Sequence, residues 1–88
     1  MSEPHDGDPP TEITVYGTSW CPDVRRSRAV LDRTGVSYGY VDLDTDKAAT
    51  RRVRRLQKGA RRIPTIVMTD GTVLIEPDDD TLRRHLPR

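Results

Sequence analysis

Between Glu12 and Leu43 the hydrophobic period of the chain switches from two to helical and back to two, which restricts the fold more than any other feature. Glu12 to Gly17 (EITVYG) alternates β-branched and aromatic residues with polar ones, as a strand does, and Thr18-Ser19-Trp20 makes a short loop. Pro22 suits the first position of a helix. Val24, Arg28, Val30 and Leu31 then give a partly apolar stripe that Gly35 ends. Val36 to Leu43 (VSYGYVDL) returns to alternation, with Val36, Tyr38, Tyr40 and Asp42 on one side and Val41 and Leu43 on the other. A strand, a helix and a strand within about thirty residues form a βαβ unit with a right-handed crossover.

The second half predicts one more helix, a hairpin and a last helix. Asp44, Thr45 or Asp46 can cap a helix whose Ala49, Val53, Leu56 and Ala60 share a face, while Arg51, Arg52, Arg54, Arg55 and Lys58 point elsewhere. Gly59 weakens its end. Pro64 to Thr69 and Thr72 to Ile75 read as antiparallel strands joined by the two residues Asp70-Gly71. Pro77 and Asp78 to Asp80 start a helix with acids against the positive end of its dipole, and Leu82 and Leu86 supply its buried side. The order is β-α-β-α-β-β-α.

The chain of 88 residues has room for one domain and a modest core. Residues 1–10 (MSEPHDGDPP) show no apolar periodicity and are expected to form a disordered leader to a domain over 11–88. No apolar run approaches the roughly 20 residues of a membrane span and no secretory signal precedes the domain, so the expected location is cytoplasmic, with no membrane partner. Basic and acidic residues balance at 15 and 14, against whole-surface nucleic-acid binding. One cysteine excludes an internal disulfide and fits a reducing compartment. His5 and His85 lie at opposite ends, without zinc-ligand spacing, so no metal is expected.

Cys21 stands between the end of an apolar strand and a helix begun by Pro22, beside unpaired backbone N–H groups and the positive end of the dipole. Such donors favour the thiolate, which is the nucleophilic form. Arg25, one turn on, adds to this, and Asp23 opposes it. A lone cysteine is often a small buried hydrophobe. This one falls in a loop at the end of a sheet, where function concentrates, and the reactive reading is preferred.

Thr18-Ser19-Trp20-Cys21-Pro22, Arg62-Ile63-Pro64-Thr65, Asp70-Gly71-Thr72 and Pro77-Asp78-Asp79 follow one another in the order and spacing of glutaredoxins. From about Glu12 to Leu86 the chain resembles that family, and within it the mycoredoxins and related actinobacterial proteins. The resemblance implies a thioredoxin-like α/β fold with a four-stranded mixed sheet and three helices. It implies that Cys21 is the attacking thiol, that Pro64 is a cis-proline facing it, and that the Ile63 backbone pairs with an extended thiol ligand or peptide. Such a ligand would be anchored by Trp20 as an apolar wall beside Pro22, by Arg25, Arg61 and Arg62 for anionic groups, and by Asp78 and Asp79 with their helix N-terminal amides.

The departure from the two-cysteine pattern is Val24, which stands where those relatives carry the second thiol. An intramolecular dithiol cycle is excluded. A monothiol route remains, in which Cys21 takes a small thiol from a mixed disulfide and a second small thiol resolves the intermediate. Glutathione-using relatives carry a Gly-Gly pair before the acidic helix start, where this chain has Glu76-Pro77. The mycoredoxin likeness points instead to mycothiol, a sugar-based thiol without a γ-glutamyl group. The expected activity is reduction of S-thiolated or disulfide-containing proteins by a monomer.

Three rival readings carry less. Arg51 to Arg62 holds seven cations in twelve residues, yet without interleaved aromatics for base stacking, so nucleic acid is not the expected partner. Docking of an acidic protein suits this face better. Iron–sulfur carriers of the family read Cys-Gly-Phe-Ser, unlike Cys21-Pro22-Asp23-Val24. A redox-silent binding module that lost its resolving cysteine is the alternative of a different class.

Overall fold

The computed structural model describes residues 10–87. Its elements are β1 (Ile13–Gly17), α1 (Pro22–Thr34), β2 (Tyr38–Asp42), α2 (Lys47–Leu56), β3 (Thr65–Val67), β4 (Val73–Ile75) and α3 (Asp79–Arg84). The element order is the one expected from the sequence. Of the leader expected over 1–10, all but Pro10 lies outside the described residues.

The four strands form one mixed sheet in the order β2-β1-β3-β4. β1 runs parallel to β2, with Val15 opposite Tyr40, and antiparallel to β3, with Val15 opposite Ile66. β3 and β4 are antiparallel, with Ile66 opposite Leu74. Because side chains alternate across a strand, the sheet builds two cores. Ile13, Val15, Ile66 and Leu74 pack with Val30 and Leu31 of α1 and Leu82 of α3 on one face. Tyr16 packs with Leu43 and with Ala49 and Val53 of α2 on the other. Leu31, Ile66 and Leu82 are fully buried, each contributing about 1.5–3 kcal/mol of transfer free energy.

The helix ends follow their caps. Gly35 closes α1 at φ 76°, a left-handed conformation that glycine adopts without a Cβ penalty. Of the three candidate caps for α2, Asp46 serves, its Oδ1 accepting the Ala49 N–H at 2.9 Å. The expected apolar face of α2 shortens. Lys58 and Gly59 turn left-handed at φ 55° and 100°, so the helix stops at Leu56 and Ala60 is exposed instead of extending the stripe.

The hairpin also differs from the expected two-residue connection. Met68 O accepts the Gly71 N–H at 3.0 Å and Met68 N–H donates to Thr72 O at 2.8 Å, which leaves Thr69-Asp70-Gly71 as a three-residue loop. Gly71, at φ 91°, supplies the left-handed residue that such loops require. Asp70 Oδ1 accepts the Thr72 N–H at 2.9 Å, which holds its carboxyl below the usual carboxylate range.

Candidate active site

The register brings four chain segments to one end of the sheet. Gly17 ends β1 beside Asp42, and its carbonyl accepts the Leu43 N–H at 2.9 Å, so the loops 18–21 and 43–46 leave side by side. Thr65 lies opposite Tyr16 on one side and Ile75 on the other, which puts the entry to β3 and the exit from β4 at that same end. Cys21, Asp44, Pro64 and Asp78 therefore belong to neighbouring segments.

Cys21 is the N-cap residue of α1, in extended conformation at φ −81° and ψ 121°, and its side chain makes no capping hydrogen bond. The sulfur is left for other chemistry. Its backbone is held at both ends: the N–H donates to Thr18 O at 3.4 Å and the carbonyl accepts the Arg25 N–H at 3.1 Å. Pro22, at the first helical position, has no N–H to satisfy. The thiol is half-buried, while Trp20 beside it is 61% exposed. Val24 behaves differently from its neighbours: it is 1% exposed, and its methyls fill the space that a side chain at Gly17 would need.

The Ile63–Pro64 peptide bond is cis. Pro64 O accepts the Glu76 N–H at 2.8 Å, continuing the β3–β4 ladder by one step. Ile63 makes no hydrogen bond through either backbone group among the described residues. One donor and one acceptor are thus open at this edge. The residue before it is fixed by a side chain the sequence did not suggest: Gln57 accepts the Arg62 N–H at 2.9 Å and donates to Arg62 O at 3.0 Å and Thr65 Oγ1 at 2.6 Å.

The expected anchoring residues separate into two groups. On the α2 side, Trp20 Nε1 donates to Asp44 Oδ2 at 2.9 Å, and Arg61 pairs with Asp44 Oδ1 at 3.6 Å. Arg61 Nε is buried without an acceptor among the described residues. On the α3 side, Arg26 reaches Asp23 at 2.7 Å and Asp79 at 3.6 Å, tying the starts of α1 and α3 together. Arg25 turns back over the loop to donate to Ser19 O at 3.0 Å. Arg62 parts from Arg61 and pairs with Glu76 at 3.0 Å. Asp78 accepts the Thr81 N–H at 2.7 Å as the cap of α3, which holds its carboxyl below the usual range.

Asp44, Gln57 and Arg26 are the site residues that sequence reasoning passed over. Asp44 was visible only as one of three possible caps, and nothing local marks a contact made 24 residues away in the chain.

The sequence profile of the glutaredoxin family matches residues 13–74. A Mycobacterium tuberculosis protein named as a candidate glutaredoxin is 32% identical over 74 residues, covering 84% of this chain and 88% of its own length. Mycoredoxin 1 of Corynebacterium glutamicum is 36% identical over 67 residues, covering 76% of this chain and 82% of its own. Among solved structures, the thioredoxin-like protein BC3987 superposes with a TM-score of 0.76 at 28% identity, over 85% of this chain and 100% of that one. The glutaredoxin of Archaeoglobus fulgidus superposes with a TM-score of 0.74 at 23% identity, over 84% of each chain, which speaks for the fold alone.

Proposed function

This chain belongs to the glutaredoxin family, whose members are thiol–disulfide oxidoreductases, and from that premise we propose that it works by a monothiol mechanism on mixed disulfides between proteins and a small thiol. The observation that carries the reading is the contrast between Cys21 and Val24: a half-buried thiol with no capping duty, one helical turn from a valine sealed in the core. The chain has one cysteine, so the second thiol comes from solution.

In the first step the Cys21 thiolate attacks the small-thiol sulfur of the mixed disulfide. A bond forms between that sulfur and Cys21 Sγ, the old disulfide bond breaks, and the protein leaves as a thiolate that takes a proton from water. A second small thiol, as thiolate, then attacks the sulfur bound to Cys21. It departs as the symmetrical small disulfide and frees Cys21 Sγ. The net exchange converts the protein's mixed disulfide and one small thiol into the free protein thiol and the symmetrical small disulfide, so one small thiol is consumed as reductant per protein thiol released. The open Ile63 backbone receives the ligand as an added strand.

The small thiol we propose is mycothiol. Glu76 stands where glutathione-using relatives have glycine; its backbone is spent on Pro64 and its carboxylate on Arg62. That leaves an ion-paired side chain where a γ-glutamyl end would approach. Protein substrates are S-thiolated or disulfide-bearing, and the setting is the reducing cytoplasm. The test is an exchange assay on one peptide carrying either glutathione or mycothiol as mixed disulfide. Faster release of mycothiol supports the assignment, and Cys21→Ser abolishes both reactions. If Cys21 alkylates no faster than free cysteine at neutral pH and neither thiol is released, the chain is a redox-silent binding module.

A further inference from the structure

Beside the active site, α2 presents a row of cations that the exchange reaction does not use. Lys47, Arg51 and Arg54 follow at helical spacings of four and three, which puts them on one face. With Arg61, Leu43, Asp44 and Thr50 they line a groove of about 470 Å³. Four cations face one carboxylate there, and that carboxylate is already paired with Arg61. Arg54 is held by the Gly59 carbonyl at 3.0 Å. Lys47 and Arg51 are exposed, and their side chains make no hydrogen bond or ion pair among the described residues.

The groove meets the active site at two points. Asp44 lines it and accepts the indole N–H of Trp20, the residue before Cys21. Arg61 lines it and lies two residues before the open Ile63 backbone. A polypeptide whose disulfide reaches Cys21 can therefore continue into the groove.

We propose that the groove of Lys47, Arg51, Arg54 and Arg61 is a docking site for an acidic segment of the protein substrate, flanking its modified cysteine. Clefts lined by one sign of charge raise the encounter rate of oppositely charged partners and lose that advantage in salt. Nucleic acid fits the groove less well, because none of its lining residues is aromatic.

This inference rests on the oxidoreductase reading, so its experiment has a binding arm independent of turnover. In that arm a fluorescent Glu-rich peptide binds the Cys21→Ser protein, measured by anisotropy against a Lys-rich peptide and a single-stranded oligonucleotide. In the kinetic arm, two peptides with a small-thiol mixed disulfide, one flanked by Glu and one by Lys, are compared at low and high salt. We expect about a tenfold higher kcat/KM for the acidic peptide at low salt, lost at high salt. The double variant Lys47→Glu/Arg51→Glu should erase the preference in both arms while leaving turnover of a small uncharged mixed disulfide unchanged. Thermal melting checks its fold, and Lys47→Gln/Arg51→Gln should give an intermediate preference. Equal binding of both peptides, tighter binding of the oligonucleotide, or a preference that survives the double variant would overturn the groove assignment. Loss of turnover on the uncharged disulfide by the unaltered protein would instead overturn the oxidoreductase reading, with the binding arm still deciding the groove.

Discussion

Replacing Gly17 by alanine should loosen the first turn of α1 and with it the seat of Cys21. A Cβ at this position would lie 2.6 Å from one methyl of Val24 and 2.8 Å from the other. Turning the valine exchanges one clash for the other. Val24 is 1% exposed and cannot swing into solvent, so the backbone of β1 or α1 must yield. Overpacking of this kind costs about 1–3 kcal/mol. At about 4–8 °C per kcal/mol for a chain of this size, the melting temperature should fall by roughly 5–20 °C. Val24→Ala alone removes two buried carbons worth about 0.8 kcal/mol each and leaves a small cavity. Combined with Gly17→Ala it also removes both close contacts, and the new methyl fills part of the space. The double variant should therefore be more stable than the two single changes predict, by about 1 kcal/mol or more. Thermal and urea unfolding of the four proteins measure the cycle. Additivity within about 0.5 kcal/mol, or a Gly17→Ala melting temperature within about 2 °C of the parent, would show that the contact carries no such load.

Asp44→Ala should free the indole of Trp20, the chain's one tryptophan, so its near-UV circular dichroism should weaken and its fluorescence anisotropy drop. KM for the small mixed disulfide should rise by about two- to fivefold with kcat little changed, and Asp44→Asn, which still accepts the indole N–H, should keep the dichroism. A second consequence concerns acid. The Thr81 N–H favours ionised Asp78, so this cap stabilises fully above the ordinary carboxylate range near about 3.9 and its contribution is lost as pH falls through the lower folded value. Asp78→Ala should then lower the melting temperature at pH 7, with a deficit that shrinks towards pH 2.

Local chemistry announced most of the elements. Pro22 and Gly35 bracket α1 as their conformational preferences require, and the alternation in EITVYG marks β1 and the two faces it serves. The same reasoning stops where geometry depends on partners distant in the chain. Asp70-Gly71 signals a hairpin but not whether Thr69 joins the loop, since that is decided by which carbonyl the Gly71 N–H meets across the ladder. Ala60 fits the apolar period of α2, yet two left-handed residues before it remove it from the helix. At the site, Cys21 stands out by residue type and position, whereas Pro64 and the acidic start of α3 enter through the likeness to glutaredoxins. Asp44 and Gln57 do not, because their roles consist of contacts between loops that only the assembled sheet makes adjacent.

The valine at position 24 joins these strands of argument. A residue in the second-thiol position of the two-cysteine relatives is here part of the packing that seats α1 on β1, through contacts that glycine at 17 alone permits. Valine therefore does structural work in that position, whereas the adjoining surface from Trp20 past Cys21 to Ile63 stays open and polar at its margins. A thiol placed at 24 would share the valine's burial, reaching Cys21 from within and closing the cycle inside the chain. On the proposed monothiol route, the resolving thiolate comes from the solvent side, over the same surface that is proposed to receive the substrate. The two must use it in turn. Release of the reduced protein should then precede entry of the second small thiol, which makes ping-pong kinetics the expected pattern. Converging lines in a double-reciprocal plot would show both partners bound together and would contradict a single shared approach.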